Sequence, residues 1–407
     1  MSFYTGLSVG KFTTFRETSI TIKPLMNQKY VITAAYYLVF ILLGLTIAAE
    51  GPTLLQLAEN TSSALDRISL IFIFGSLGYL SGSYVGGRLY DRISGHQLMA
   101  AVLVLLGIVI AFVPVVNSLT SLLLIVLILG LAKGALDVGC NTLLLWIHTE
   151  KVDPFMNAMH ACFGVGAFIA PLIVARVITI TGDINWVYWS FAIAAFPIAA
   201  FIWSLPSPSP RLIPDEHKDV PLPILPVAIM VLCFLLYVGA EVGFGNWVYT
   251  YALQLNLGTE VTSAYLTSGF WGAFALGRLL AIWISTRISP KTILYADFVG
   301  CLASLSLILL FRDSPTILWI GTVLLGGFLA SIFPTYLTLA EETMHVTGTM
   351  TGWFLVGGSI GGMILPWAIG QAFVRIGPGA MISMVFATVA LNLLALVFFI
   401  RLPVKTN

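Results

Sequence analysis

The chain has 407 residues, of which 58% are hydrophobic and 9% are charged, and its formal net charge is +1. A soluble domain carries about 25% charged residues, so this composition excludes a soluble enzyme, and the net charge near zero excludes recruitment of nucleic acid by a whole-molecule field. The apolar residues fall in blocks close to the ~20 residues with which a helix crosses a bilayer. The sequence therefore predicts an all-α, polytopic membrane protein.

Twelve apolar blocks predict twelve transmembrane helices, which we number helix 1 to helix 12 in chain order. They lie at 30–57, 68–89, 97–116, 120–147, 156–178 and 185–205, and then at 225–253, 262–285, 292–311, 315–339, 347–373 and 379–401. The proline-rich, charged stretch between the two sets is typical of a water-exposed linker. The predicted organisation is an N-terminal segment at 1–29, a first bundle at 30–205, a linker at 206–224, a second bundle at 225–401 and a tail at 402–407.

The distribution of basic residues predicts the orientation of the chain. If both termini are cytoplasmic, most of the 19 lysines and arginines lie on the cytoplasmic side, and four lie outside, namely Arg67, Arg176, Arg312 and Arg375. This bias follows the positive-inside rule, so we expect a multi-pass protein of the plasma membrane with both ends in the cytoplasm. The four cysteines lie inside apolar blocks without metal-ligand spacing, so neither a metal site nor a disulfide is expected.

The second half of the chain repeats short segments of the first half. At one shared offset of 195 residues, the matched positions are Gly82 with Gly277, Gly166 with Gly361, Ile169 with Ile364 and Pro171 with Pro366. A single offset in two separated segments indicates two six-helix halves with the same topology. In transporters built from such parallel repeats, the substrate binds near the midplane between the halves.

Five charged residues inside the apolar blocks are candidates for a functional role, because a charge there costs roughly 2.5–3.5 kcal/mol on insertion scales and is usually paired, solvated or functional. They are Glu50 in helix 1, Lys133 and Asp137 in helix 4, Glu241 in helix 7 and Asp297 in helix 9. Four of the five fall on only three helices, namely helices 1, 4 and 7, which indicates a polar transport path.

In helix 4, Lys133, Asp137 and Asn141 recur every fourth residue and therefore share one face. Two interpretations are open. Lys133 and Asp137 form an ion pair that only neutralises itself, or Asp137 binds a coupling cation or proton while Asn141 recognises a substrate hydroxyl group.

Helices 7 and 8 carry the predicted substrate-binding groups. Glu241, Asn246 and Trp247 combine a carboxylate, an amide and an indole, which suit the hydroxyl groups and the apolar face of a sugar. Trp247 has packing as its alternative role, and Trp271 is either packing or a platform for the sugar ring. Arg278 lies toward the cytoplasmic side, where we expect it to stabilise a helix end or a closed gate.

Helix 1 contains a proline, Pro52, directly after Glu50 and Gly51. Because proline lacks a backbone donor and bends a helix, a hinge is expected here. Glu50 itself either takes part in cation coupling or faces extracellular water.

The segment Gly87-Arg-Leu-Tyr-Asp91-Arg92 after helix 2 resembles the loop 2–3 signature of the major facilitator superfamily. Further motifs, spread over nearly the whole chain, resemble the sodium-dependent glucose transporter branch of the fucose permease family. They include Gly51-Pro52-Thr53, Asp137-x3-Asn141, Tyr237-Val-Gly-x-Glu241, Phe270-Trp271-x2-Phe274-x2-Gly277-Arg278 and Phe333-Pro334-Thr335.

This resemblance implies the major facilitator fold, two pseudo-symmetric six-helix bundles, and secondary active transport of a hexose coupled to sodium or protons. It implies coupling at Asp137, whose spacing to Asn141 matches the family pair, with Glu50 near the position of a helix 1 carboxylate. Asp91 and Arg92 match the gating motif. Lys133 departs from the family pattern, and an ammonium beside Asp137 could replace the coupling ion.

The leading interpretation is therefore a sugar symporter that works by alternating access. Its alternatives are an exporter of an amphipathic drug or lipid-like compound, and an uncoupled sugar facilitator in which Lys133 replaces the cation. An enzyme is not expected, because the chain contains no phosphate loop, metal-binding cluster or nucleophile turn. The expected partners are a sugar and the lipid bilayer, without nucleic acid or any cofactor beyond a coupling sodium ion or proton, and the protein is expected to be a monomer.

Overall fold

The computed structural model describes residues 22–148, 152–209, 223–344 and 346–402, with side chains from residue 28 onward. The predicted N-terminal segment up to residue 21, the linker from 210 to 222 and the tail from 403 to 407 lie outside the described residues, as do the basic residues on them. The described part of the chain contains helices, turns and loops and no strand.

Within these described ranges, twelve helices are long and apolar enough to cross a membrane, which confirms the predicted all-α fold. Helices 1 to 6 are Ile22–Ala48 with Glu50–Asn60, Leu65–Ile68 with Leu70–Tyr90, Gly95–Phe112, Leu119–His148, Asp153–Thr181 and Asn185–Trp203. Helices 7 to 12 are Ile224–Gln254, Glu260–Ser285, Pro290–Leu310, Pro315–Leu329 with Ile332–Met344, Gly348–Arg375 and Gly379–Arg401.

Helix 1 is interrupted at Ala49, next to the predicted hinge. Ala49 keeps helical angles, with φ −75° and ψ −20°, so the interruption is a kink rather than an unwound segment. Pro52 has no N–H with which to bond the carbonyl four residues before it, and the Thr53 hydroxyl donates to the Ala49 carbonyl oxygen at 2.8 Å. Helix 10 is also interrupted, at 330–331, which we did not predict.

The two halves pack their helices in the same way. Helices 1 and 5, 2 and 4, and 3 and 6 pair in the first half, and helices 7 and 11, 8 and 10, and 9 and 12 pair in the second. Glycines at matched positions allow the closest approaches, because a Cβ on Gly166 would overlap the Ile41 carbonyl oxygen and one on Gly361 would overlap the Leu235 carbonyl oxygen. The internal repeat is therefore visible in the packing.

The bundles meet through helices 5 and 8, helices 2 and 11, and the second segment of helix 1 with helix 7. We call the end of the molecule that carries the loops between helices 1 and 2, 3 and 4, 5 and 6, 7 and 8, 9 and 10, and 11 and 12 the outer end. The distribution of basic residues predicts that this end faces the outside of the cell.

Candidate functional site

Lys133 on helix 4 pairs with Glu50 on helix 1. Its Nζ lies 2.6 Å from Oε1 of Glu50 and donates to the Thr46 carbonyl oxygen at 3.4 Å. The lysine is 6% exposed, and a charge buried to this extent requires a partner. The hypothesis of an ion pair between Lys133 and Asp137 is therefore wrong. Helix 1 packs against helix 4 at this level and supplies a nearer carboxylate.

Asp137 is half-buried and has only neutral hydrogen-bond donors. The Tyr79 hydroxyl donates to Oδ2 of Asp137 at 2.6 Å, and the Asn141 amide donates to Oδ1 at 3.2 Å. No basic side chain of the described residues forms an ion pair with this carboxylate. A carboxylate inside a membrane protein that lacks a cationic partner is a position where a proton or a metal cation can bind.

Asn141 is oriented by its own helix. Besides its bond to the Asp137 carboxylate, its Nδ2 donates to the Asp137 backbone oxygen at 2.9 Å. The residue is half-buried, and its amide oxygen accepts no bond from the described residues. The predicted hydroxyl-recognising role of Asn141 stays a prediction, and this free acceptor is the atom that would perform it.

Glu241 in helix 7 lies in a second polar group, together with Tyr237 one turn earlier and Arg278 of helix 8. Glu241 is close enough to both side chains to interact with them electrostatically. The Tyr237 hydroxyl is buried beside the Glu241 carboxylate and the Arg278 guanidinium, and Nε of Arg278 is buried without a hydrogen-bond partner among the described residues. The guanidinium carbon of Arg278 lies 4.5 Å from the centre of the Phe274 ring.

Arg278 therefore lies between the bundles rather than at a helix end. It also interacts electrostatically with His160 on helix 5 of the first bundle. Sequence reasoning assigned Arg278 to gating and did not connect it with Glu241. The structure brings the two charges together at the packed surface of helices 5, 7 and 8.

Trp271 forms part of an aromatic wall beside this group. Its ring packs edge-on against Phe270 and Phe274, with centroid distances of 5.1 Å and 5.7 Å. Gly245 of helix 7 makes room for the indole, because a Cβ there would lie 2.8 Å from a ring carbon of Trp271. The indole Nε1 is buried without a hydrogen-bond partner among the described residues, so an unused donor lies at this wall.

Trp247 and Asn246 lie toward the outer end, in closed packing. Trp247 is 0% exposed, its Nε1 donates to the Pro366 carbonyl oxygen at 2.9 Å, and its ring stacks on Phe373 at 5.0 Å. A Cβ on Gly51 would lie 2.7 Å from the Asn246 carbonyl oxygen, so helices 1 and 7 touch here. Substrate contact by these two residues stays a prediction, and in this conformation they close the outer end.

Other contacts between the bundles lie at the same end. Nε2 of Gln371 in helix 11 donates to the Asp66 carbonyl oxygen of helix 2 at 2.6 Å. Nearer the middle, the Ser268 hydroxyl donates to the Phe168 carbonyl oxygen at 2.6 Å. At the opposite end, Asp91 and Arg92 are exposed, and their side chains form no ion pair with another described residue. Gating by the latter two stays a prediction.

Asp297 does not join either polar group. It is 7% exposed and lies inside the second bundle, where the Ser331 hydroxyl at the interruption of helix 10 donates to its carboxylate. Its position fits neither substrate contact nor the meeting surface of the bundles.

Sequence reasoning missed two side chains that complete the polar groups, Tyr79 and Tyr237. A signal existed for each. Tyr237 precedes Glu241 by one helical turn, so the two share a face. Tyr79 lies next to Gly78, where a Cβ would overlap the Leu127 carbonyl oxygen of helix 4, and the glycines of helices 2 and 4 indicate that these helices approach closely.

The sequence matches the family model described as Major Facilitator Superfamily over residues 36–366. The chain is 29% identical to the sodium-dependent glucose transporter 1A of Mus musculus over 372 residues, which cover 82% of this chain and 88% of that protein. It is 29% identical to the sodium-dependent glucose transporter 1 of Homo sapiens over 369 residues, covering 81% and 71% of the two chains. The fold is similar to that of a D-xylose–proton symporter, with a TM-score of 0.76 and 12% sequence identity. The superposition covers 93% of this chain and 99% of the symporter.

Proposed function

Because this chain belongs to the Major Facilitator Superfamily, we propose that it carries a hexose-type sugar across the membrane by alternating access, together with a sodium ion or a proton. It is a transporter of that superfamily, and its relatives named for glucose transport cover most of its length. The choice of sugar and of coupling ion is the proposed part. It rests on the two polar groups between the bundles.

The observation that carries the proposal is the state of Asp137. Its two carboxylate oxygens accept hydrogen bonds from Tyr79 and Asn141, while the one lysine near it is used by Glu50. Neutral donors hold a carboxylate in place without neutralising it, so the charge of Asp137 is left for an exchangeable cation. This arrangement supports a coupled transporter over the uncoupled facilitator, which needed the Lys133 ammonium at Asp137.

The substrate side of the proposal rests on the group in helices 7 and 8. A sugar hydroxyl both donates and accepts. Glu241 and Tyr237 offer polar groups that already interact with each other, while Nε of Arg278 and Nε1 of Trp271 are buried donors without a partner among the described residues. Buried polar atoms usually have partners, so these unused donors favour a polar ligand with several hydroxyl groups. The aromatic wall of Phe270, Trp271 and Phe274 is buried in this conformation, and a conformation that opens it would offer ring faces suited to the apolar face of a sugar.

The test is uptake of radiolabelled glucose by the purified protein in liposomes, under an imposed sodium gradient, an imposed proton gradient, or neither. We expect one gradient to drive accumulation and Asp137→Asn to reduce it to the level without a gradient. Counterflow, which needs no net movement of cations, should survive in Asp137→Asn. The two activities separate because the carboxylate binds the ion and not the sugar.

Asp297→Asn is the matched control, because it removes a second intramembrane carboxylate that also accepts a bond from a hydroxyl group but lies away from the meeting surface of the bundles. It should accumulate sugar like the parent. Full accumulation by Asp137→Asn would contradict coupling at this residue. If the protein shows no sugar counterflow but exports an amphipathic compound, the sugar proposal is wrong and the exporter alternative is correct.

A further inference from the structure

The kink of helix 1 has the composition of a monovalent-cation site. Two oxygens converge there on one positive charge, Oε1 of Glu50 at 2.6 Å and the Thr46 carbonyl oxygen at 3.4 Å from Nζ of Lys133. Glu50 follows the interruption and Thr46 precedes it, so the oxygens come from the two sides of the kink. Main-chain oxygens at discontinuities of membrane helices coordinate sodium ions in transporters, and a carboxylate adds the negative charge that a cation site needs.

We propose that this is a cation site permanently filled by a tethered cation, the Lys133 ammonium. Lysine carries a compact point charge on a flexible stem, and here the stem comes from helix 4 while both oxygens belong to helix 1. Glu50 is therefore neutralised by the protein itself and takes no part in the exchange of ions. One exchangeable position, at Asp137, is left between the bundles.

The groups around the site support this assignment. Tyr188 of helix 6 interacts electrostatically with Glu50, and its hydroxyl forms a 2.6 Å hydrogen bond with the Thr53 hydroxyl; both groups are neutral. Asp137 lies one turn from Lys133 on helix 4 but forms no ion pair with it. Lys133 is thus the charged group that balances Glu50; the lysine is 6% exposed, whereas the Glu50 side chain is 30% exposed, so a cation from solution has access to the carboxylate.

Removal of the lysine side chain should convert the site into one that binds a free cation. Lys133→Ala leaves the carboxylate and the carbonyl oxygen in place and opens a space of about the size of the lost side chain. A sodium ion or a methylammonium ion from solution supplies the missing charge. Lys133→Met removes the charge but fills the space, so it should gain no such binding.

The experiment is thermal unfolding of the purified full-length protein in detergent, titrated with sodium chloride or methylammonium chloride against choline chloride at constant ionic strength. All variants carry Asp137→Asn, so that the proposed coupling position gives no response. We expect Lys133→Ala to have a lowered melting temperature in choline and a saturable upward shift in sodium or methylammonium. No shift is expected for the protein that keeps Lys133, for Lys133→Met, or for the variant that combines Lys133→Ala with Glu50→Gln.

An upward shift that survives Glu50→Gln would overturn the proposal, as would a sodium response in the protein that keeps Lys133. A second outcome would also contradict the proposal: Lys133→Ala cannot be purified in a folded state in sodium, whereas the variant with both Lys133→Ala and Glu50→Gln can. In that case the free cation does not fill the site. The measurement needs neither sugar nor transport, so its failure and the failure of the proposed function are distinguishable.

Discussion

The two bundles share their helix packing but not their polar chemistry. At the offset of 195 that aligns Gly166 with Gly361, Glu241 lies over Thr46 and Arg278 over Ser83, so neither charge of the second bundle is repeated in the first. The first bundle holds a fixed ion pair and one carboxylate with neutral donors. The second holds a carboxylate and an arginine beside an aromatic wall.

This difference indicates how a repeated scaffold becomes a coupled transporter. The residues matched between the halves include glycines and a proline, which influence how closely helices approach. The charged residues of the polar groups between the bundles are not matched. We infer a division of labour in which the first bundle binds the ion and the second bundle supplies most contacts to the sugar, with helix packing common to both.

The largest expected effect comes from Glu241→Gln, which keeps the shape of the side chain and removes its charge. Hydrogen bonds to a charged acceptor contribute about 1.5–3 kcal/mol, which corresponds to a roughly ten- to hundredfold loss of sugar affinity. Coupling should persist at saturating sugar, the opposite of the expectation for Asp137→Asn. Calorimetric sugar binding and gradient-driven uptake measure the two quantities.

Trp247→Phe serves as the comparison variant for Glu241→Gln. It keeps an aromatic ring against Phe373 but removes the hydrogen bond to the Pro366 carbonyl oxygen, at a cost of about 1 kcal/mol of stability. Because the indole is fully buried and its N–H is already used, we now expect sugar affinity to stay at the parent value, against the sequence-based prediction that Trp247 contacts the sugar. If Trp247→Phe weakens binding as much as Glu241→Gln, the sugar binds nearer the outer end. A loss of coupling in Glu241→Gln would contradict the inference that the first bundle binds the ion and the second bundle binds the sugar.

The next prediction tests the close helix packing at glycines that the two bundles share. Gly166→Ala and Gly361→Ala each place a methyl group onto a backbone oxygen of the partner helix, and overpacking of this kind costs about 1–3 kcal/mol. We expect both variants to lower the melting temperature in detergent by similar amounts. Gly352→Ala in helix 11 is the control, because nothing lies within 4 Å of its Cβ, and it should be neutral or slightly stabilising. A large loss in only one half would show that the packing of the halves has diverged as well.

The fold was predictable because apolar blocks of membrane length reveal the helices directly. Helix 4 was predicted at 120–147 and spans Leu119–His148. The kink in helix 1 followed from Pro52, whose missing N–H is a local property of the sequence. The interruption of helix 10 carries the same mark, since Pro334 has no N–H with which to bond the Ala330 carbonyl oxygen four residues before it, but our prediction did not use this proline and therefore missed the interruption.

The pairing of Lys133 was not predictable from spacing. Four residues of separation place Lys133 and Asp137 on one face of helix 4, but they do not reveal which other helix packs there. Glu50 is 83 residues away in the chain, and Tyr79 reaches Asp137 from helix 2 across 58 residues. Partners at such distances are determined by how the helices pack, and residue spacing does not rank the possible packings.

The smallest expected effect concerns the hydrogen bond that joins the bundles at the outer end. Gln371→Ala removes the donor to the Asp66 carbonyl oxygen, and an ordinary hydrogen bond contributes about 0.5–1.5 kcal/mol net. The closed outer end should lose roughly two- to tenfold in population relative to the open one. Spin labels at Thr181 and Asp313, two exposed positions in different bundles at that end, report the change as a longer distance.

Gln56→Ala distinguishes a contact between bundles from a contact within one. Gln56 also donates to a backbone oxygen at the outer end, that of Gly182 at 3.5 Å, but both residues belong to the first bundle. Its loss should leave the distance between Thr181 and Asp313 unchanged. If Gln56→Ala lengthens that distance as Gln371→Ala does, the outer end opens by loosening of the first bundle. If neither variant changes it, the backbone approach of Gly51 to Asn246 holds the outer end closed without the side-chain bond.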